Sequence, residues 1–131
     1  MLNGNPNPDY TSTEADMLAL GLKPLSADAL AAKMVGKTVY GDFGAQFKYV
    51  MAVDETGTLE GKNNAGAHTF GRWSIDVATG EMSVEWQAGW VPSTTRVYEV
   101  AGSLKLYEVA TGRWATSLHR FENGTKRPLT L

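Results

Sequence analysis

The sequence predicts a mainly β chain: an eight- (or nine-) stranded antiparallel up-and-down β-barrel preceded by a short N-terminal helical segment. Three observations point there. Trp73, Ile75 and Val77 alternate with Arg72, Ser74 and Asp76, and after a Gly80-containing break Met82, Val84 and Trp86 alternate with Ser83 and Glu85. A period of two on both sides of a short polar turn marks an antiparallel hairpin with one buried face. Similar short runs, separated by Gly-, Asn- and Asp-bearing turns, recur from residue 37 to residue 121. Finally, a meander of that length leaves two exposed edges unless it closes, and eight closed strands enclose room for side chains or one small ligand.

The elements follow in order. Residues 1–24 form an N-terminal arm and short helix: 1–13 are rich in Asn, Pro, Thr and Ser, then Met17, Leu18, Leu20 and Leu22 suggest a helix interrupted by Gly21 and stopped by Pro24. Residues 25–131 form a single barrel domain led by a helix over 26–35. Ser26 is a suitable N-cap, Asp28 suits the first turn, and Gly36 lies just beyond the end. Leu30, Met34 and the alanines give this helix an apolar stripe that should dock on the sheet. Strands are expected over 37–43, over 46–53 with Phe47, Tyr49, Met51 and Val53 in phase, and over 58–62 after the turn Asp54-Glu55-Thr56-Gly57. A loop at 63–67 leads to the central hairpin, whose turn is placed at 78–81. That register sets Val77 opposite Met82, Ile75 opposite Val84 and Trp73 opposite Trp86. After a connection at 88–93 containing Gly89 and Pro92, a second hairpin spans 94–100 and 103–109 around Ala101-Gly102. Residues 113–121 form an eighth strand, and Asn123-Gly124 turns into a short end strand that Pro128 confines to an edge.

Val77-Ala78-Thr79-Gly80 recurs as Val109-Ala110-Thr111-Gly112, and this echo leaves two registers open. If it is structural, Tyr107, Val109 and Trp114 face inward and Leu104 and Leu106 face outward. With a three-residue second turn, Leu104, Leu106, Glu108 and Trp114 share the inner face, and a three-residue turn in the preceding hairpin brings Arg96 opposite Glu108. A one-residue slip inverts every side chain, so this choice decides which polar groups line the interior.

Several function classes are excluded or disfavoured. The 131 residues include no cysteine, which removes disulfides, thiolate metal sites and cysteine nucleophiles. A formal net charge of −2 argues against a broad nucleic-acid surface. No apolar run approaches the roughly 20 residues needed to span a bilayer. A soluble protein is expected, periplasmic or secreted if a signal peptide was removed and otherwise cytoplasmic, as a monomer or homodimer. His68 and His119 stand far apart with no carboxylate at metal-ligand spacing, so neither a metal nor any other cofactor is expected. Ser74, Ser83 and Ser117 lack a nucleophile-elbow context, and the Gly-bearing loops match no phosphate-binding fingerprint.

The run Leu25-Ser26-Ala27-Asp28-Ala29-Leu30, followed by Val35-Gly36-Lys37-Thr38-Val39-Tyr40-Gly41, resembles the start of small lipocalin-like (calycin-type) bacterial proteins, mostly exported and uncharacterised. The turn Asp54-Glu55-Thr56-Gly57-Thr58 and the strand opening Gly71-Arg72-Trp73 match that pattern in order. The resemblance covers roughly residues 25–125 and implies a barrel that holds a small ligand. The chain departs from the pattern in lacking a cysteine in its central strands. True lipocalins carry Gly-x-Trp on the first strand with a C-terminal Arg packed on the Trp; here it falls on the fourth, so Arg120 does not simply inherit that role.

Four Trp and five Tyr lie mostly in the expected strands, and Tyr49, Trp73, Trp86, Tyr98 and Trp114 share the proposed inner face. Aromatic walls with a few fixed polar groups make small-ligand sites, although aromatics also simply fill barrel cores. Tyr40, Arg96 and Tyr107 complete the ligand-binding candidates, with Glu108 and Arg120 as further polar groups for the interior. An inward Arg favours an anionic ligand, because an unpaired buried guanidinium is costly. The first reading is therefore a small-molecule binding protein for an apolar or aromatic ligand, anionic where an Arg faces in. A cofactor-free cyclase, isomerase or lyase is the second, and a loop-mediated protein-binding or inhibitor module the third.

Overall fold

A computed structural model describes residues 11–44, 47–87, 89–90 and 92–131. The outer part of the N-terminal arm (residues 1–10), the expected start of the second strand at Gln46, and Ala88 and Val91 of the 88–93 connection lie outside those residues. Helices α1 (Glu14–Ala19) and α2 (Ala27–Met34) precede eight strands: β1 (Lys37–Asp42), β2 (Lys48–Val53), β3 (Thr58–Asn63), β4 (His68–Ile75), β5 (Met82–Trp86), β6 (Ser93–Val100), β7 (Ser103–Glu108) and β8 (Trp114–Asn123). Each strand pairs antiparallel with the next, and β8 pairs with β1, so the sheet closes as an up-and-down barrel. No ninth strand follows Asn123-Gly124 among the described residues. Gly124 N–H instead bonds the carbonyl of Gly36 at 3.0 Å, turning the C-terminal segment onto the outer wall.

Both helices start where side-chain chemistry dictates. Thr13 caps α1 in a reciprocal box with Asp16, and Ser26 Oγ accepts the Ala29 N–H of α2 at 3.2 Å. The stripe of α2 closes one end of the barrel, because Leu30 and Met34 join Val39, Met51, Val53, Leu59, Met82, Val97, Leu104 and Leu118 in the interior core. The chain leading into α2 is tied to a weak seam. β5 and β6 share only three paired positions, and beyond them Leu25 N–H bonds the Val97 carbonyl at 2.7 Å. A side chain at Gly80 would collide with the Leu25 carbonyl, and its φ of +78° is itself a glycine conformation.

The central hairpin differs from its expected register by two residues. Ile75 faces Met82, Trp73 faces Val84 and Gly71 faces Trp86, so the turn runs from Asp76 to Glu81 and Val77 is 90 % exposed. The cause is Asp76: its Oδ1 accepts the N–H groups of Ala78 at 2.9 Å and Thr79 at 3.1 Å, while Gly80 N–H bonds the Asp76 carbonyl at 2.8 Å. A shift of two preserves which face is buried.

The echoed turn recurs in kind. Gly112 N–H bonds the Glu108 carbonyl at 2.7 Å and Glu108 N–H bonds the Arg113 carbonyl at 2.8 Å, the arrangement found between Asp76, Gly80 and Glu81. The faces nevertheless do not repeat. The pairing shifts between Leu106↔Thr116 and Tyr107↔Trp114, so Ala115 is an extra residue and a bulge follows the turn. Leu104, Leu106 and Glu108 therefore lie on the inner face, whereas Tyr107 faces out. In the preceding hairpin a two-residue turn at Ala101-Gly102, both with positive φ, sets Thr95 opposite Glu108 and Arg96 opposite Tyr107.

Two straps cover the outer wall. Met17 of α1 packs with Leu22, Tyr98, Val100, Tyr107 and Trp114. Glu14 Oε2 accepts the Tyr98 hydroxyl at 2.7 Å, and Ser12 Oγ lies 2.8 Å from the Tyr107 hydroxyl. At the other side Leu129 of the C-terminal segment covers Val50 and Ala52, with Tyr40 beside them. Arg127 fastens that segment, its Nε donating to Glu60 Oε1 at 2.7 Å and its Nη2 to Asp54 Oδ2 at 3.0 Å, while His68 Nε2 meets Glu60 Oε2 at 2.8 Å. No described helix is long and apolar enough to cross a membrane.

Leu30→Ala should cost about 2–5 kcal/mol in urea unfolding while leaving the β-type circular dichroism of the native state unchanged. Glu60 supplies a pH test. Burial pushes its pKa up, but hydrogen bonds from His68 and Arg127 outweigh that and hold it below the ordinary carboxylate value. A lowered folded-state pKa means stability that is present above the unfolded value and lost as pH falls through the folded one. Wild type should therefore exceed Glu60→Gln most at neutral pH, with the gap closing below about pH 4; a pH-independent gap would refute this role.

Candidate functional site

Because the strands alternate in direction, the β1–β2, β3–β4, β5–β6 and β7–β8 connections gather at the end opposite α2. A cavity of about 420 Å³ opens there, lined by Phe43, Asn63, Trp86, Trp90, Ser93, Glu108, Trp114, Ala115 and Thr116. Its aromatic wall is built over a glycine. The rings of Trp86 and Trp90 stand 4.8 Å apart at 54°, and a Cβ on Gly61 would sit 2.8 Å from Trp86 and 3.2 Å from Trp90. The bare backbone of β3 at Gly61 thus lets both indoles lie against the wall.

Behind the cavity, Phe43 stacks on Tyr49 at 4.6 Å and 24°. The Tyr49 hydroxyl lies 2.7 Å from Thr116 Oγ1, and the Thr116 hydroxyl donates to the Asp42 carbonyl at 2.8 Å. With the Thr116 proton directed at Asp42, the Tyr49 proton must be directed at Thr116. Complete burial raises the Tyr49 pKa well above that of a free phenol, so it stays protonated at neutral pH. On the rim, Glu108 Oε1 accepts the Thr111 hydroxyl at 2.9 Å, which holds the carboxylate in place at the start of the β7–β8 turn.

The eight residues expected to line a ligand site separate into three groups. Tyr49, Trp73 and Trp86 do face the interior, but only Trp86 borders the cavity; Trp73 lies toward the α2 end, its indole donating to the Asp54 carbonyl at 2.9 Å. Trp114 reaches the rim while packing on the outer cluster, with its indole N–H on Ser117 Oγ at 2.9 Å. Tyr40, Arg96, Tyr98 and Tyr107 lie on the outer wall. Tyr98 is therefore not on the inner face: Thr95 and Val97 are, and α1 covers the tyrosine instead. Arg96 Nε lies 3.5 Å from Glu14 and 3.8 Å from Glu81, and Arg120 stacks over the Tyr40 ring at 4.1 Å. No arginine is among the described residues that line the cavity.

Sequence reasoning passed over Phe43, Trp90 and Thr116. Trp90 sits in a Gly- and Pro-bearing connection to which strand alternation assigns no face; a tryptophan in a loop flanking a barrel strand was the available signal. The histidines lie elsewhere. His119 bridges Ser103 Oγ, 3.3 Å from its Nδ1, to Asp42 Oδ2 at its Nε2, and no member of this relay borders the cavity. It stands on the convex wall with His119 open to water. Among the described residues no three His, Asp or Glu side chains are grouped to hold a metal ion. No family model, no curated protein and no solved structure matches the chain.

Gly61→Ala should push the Trp86 ring off the wall, destabilise the fold by about 1–3 kcal/mol and change the tryptophan emission maximum. Unchanged emission with unchanged stability would contradict the packing described.

Proposed function

We propose that this protein binds a small apolar or aromatic molecule in the open end of its barrel. One observation carries the reading: an aromatic-walled cavity of about 420 Å³ at the one end that α2 does not fill. Sites for small molecules are concave, mostly apolar and furnished with a few placed polar groups, and the volume falls within the range of roughly 300–1,000 Å³ typical of them. Asn63, Ser93, Glu108 and Thr116 are the polar groups here. Such a use of the barrel is also what the resemblance to small lipocalin-like proteins implies. A cofactor-free enzyme is the less supported reading. Tyr49 is sealed behind Phe43 and held protonated, which leaves Glu108 without an acid–base partner among the described lining residues.

Native mass spectrometry of freshly purified protein, repeated after denaturation, should release a small molecule of aromatic or aliphatic character. The neutral fluorophore N-phenyl-1-naphthylamine should bind saturably with enhanced emission, and Trp90→Ala should weaken it about tenfold, equivalent to about 1.4 kcal/mol. Absence of saturable binding, together with a bare protein mass, would overturn the reading.

A further inference from the structure

We infer that the ligand of this cavity carries a positive charge, as an aryl- or alkylammonium group held between the tryptophans and Glu108. The inference rests on the reading of the cavity as a binding site and goes on to name the ligand class. Its first support is the charge of the lining. Glu108 is the single ionisable side chain among the described lining residues, and the others are aromatic, amide, hydroxyl or methyl groups. The arginines that would have favoured an anion are elsewhere: Arg96 is paired with Glu14 and Glu81 on the outer wall, and Arg120 is paired with Glu122 and stacked on Tyr40. An anion entering the cavity would meet a carboxylate, and no Lys or Arg is among the described residues that line it.

The second support is the aromatic wall. Trp86 and Trp90 meet at 54°, so their faces form a corner rather than a flat stack, with Phe43 and Trp114 also on the lining. Indole faces carry the strongest negative quadrupole of the side chains, and an ammonium group against two or more of them is bound without needing a hydrogen-bond acceptor. The third support is the fixing of Glu108. It is half-buried, its paired neighbour on the adjacent strand β6 is the buried Thr95, and Thr111 donates to one carboxylate oxygen at 2.9 Å. A carboxylate held partly away from water attracts a cation more strongly than one on a free surface, because the screening is weaker. Arg113 follows the same turn, but it is exposed and does not line the cavity.

The test is displacement of N-phenyl-1-naphthylamine by benzyltrimethylammonium and by phenylacetate, which share a benzyl group and differ in charge. At about 50 mM salt the cation should compete at least about tenfold better, and its advantage should shrink as salt is raised to about 500 mM. Glu108→Gln keeps the oxygen that accepts from Thr111, so the fold is expected to hold. It should erase the salt-dependent preference for the cation, whereas Trp90→Ala should weaken the cation and the neutral fluorophore alike. If the fluorophore binds and phenylacetate competes as well as the cation or better, the charge assignment is wrong while the cavity reading stands. If neither the fluorophore nor either competitor binds, both are wrong.

Discussion

Closure of the sheet through β1 and β8 is the constraint on which the remaining structure depends. Lys37 to Asp42 pair along β8 from Asn123 back to Ser117, with His119 as an extra residue where the register shifts. That seam turns an open meander with two unpaired edges into a barrel with none, and it fixes the circumference at eight strands. An eight-stranded interior has room for one layer of large side chains at any level. What fills one level is therefore missing from another.

The two ends are filled differently for this reason. At one end α2 inserts Leu30 and Met34, both with no exposed surface, and the interior there is solid. At the other end no helix enters. Aromatic side chains from Phe43, Trp86 and Trp90 line the wall instead of meeting across the middle, and glycine at position 61 gives the indoles their depth. The cavity is thus a consequence of a helix that plugs only one end, and a single bulge decides which β8 side chains enter it. Without the extra residue at Ala115, the strands flanking the β7–β8 turn could not place Leu106 and Thr116 inside while Tyr107 and Trp114 face out.

The outer wall carries a second set of apolar residues, and this is where alternation misleads. Every described position of β2 after Lys48 is buried, because Tyr49, Met51 and Val53 face the interior while Val50 and Ala52 lie under the C-terminal segment. Tyr98 and Tyr107 are buried on the outside by α1 in the same manner. Both faces of such a strand read as core, so a buried aromatic does not announce which core it belongs to.

The sequence by itself determined the barrel class, both helices and the Ser26 cap, the position of most strands and the buried face of the central hairpin. Those features rest on local chemistry: a period of two, an N-cap serine, a glycine past a helix end. It also placed Trp86 on the inner face, where the indole borders the cavity. Tertiary structure alone decided the turn length after Asp76, the bulge at Ala115, the outward placement of Arg96, Tyr98 and Tyr107, and the gathering of Trp90 and Glu108 at one mouth. The physical reason is that a strand presents two equivalent faces to its own sequence. Which face becomes the interior is set by a one-residue register and by whatever segment covers the outside, and both depend on residues far away in the chain.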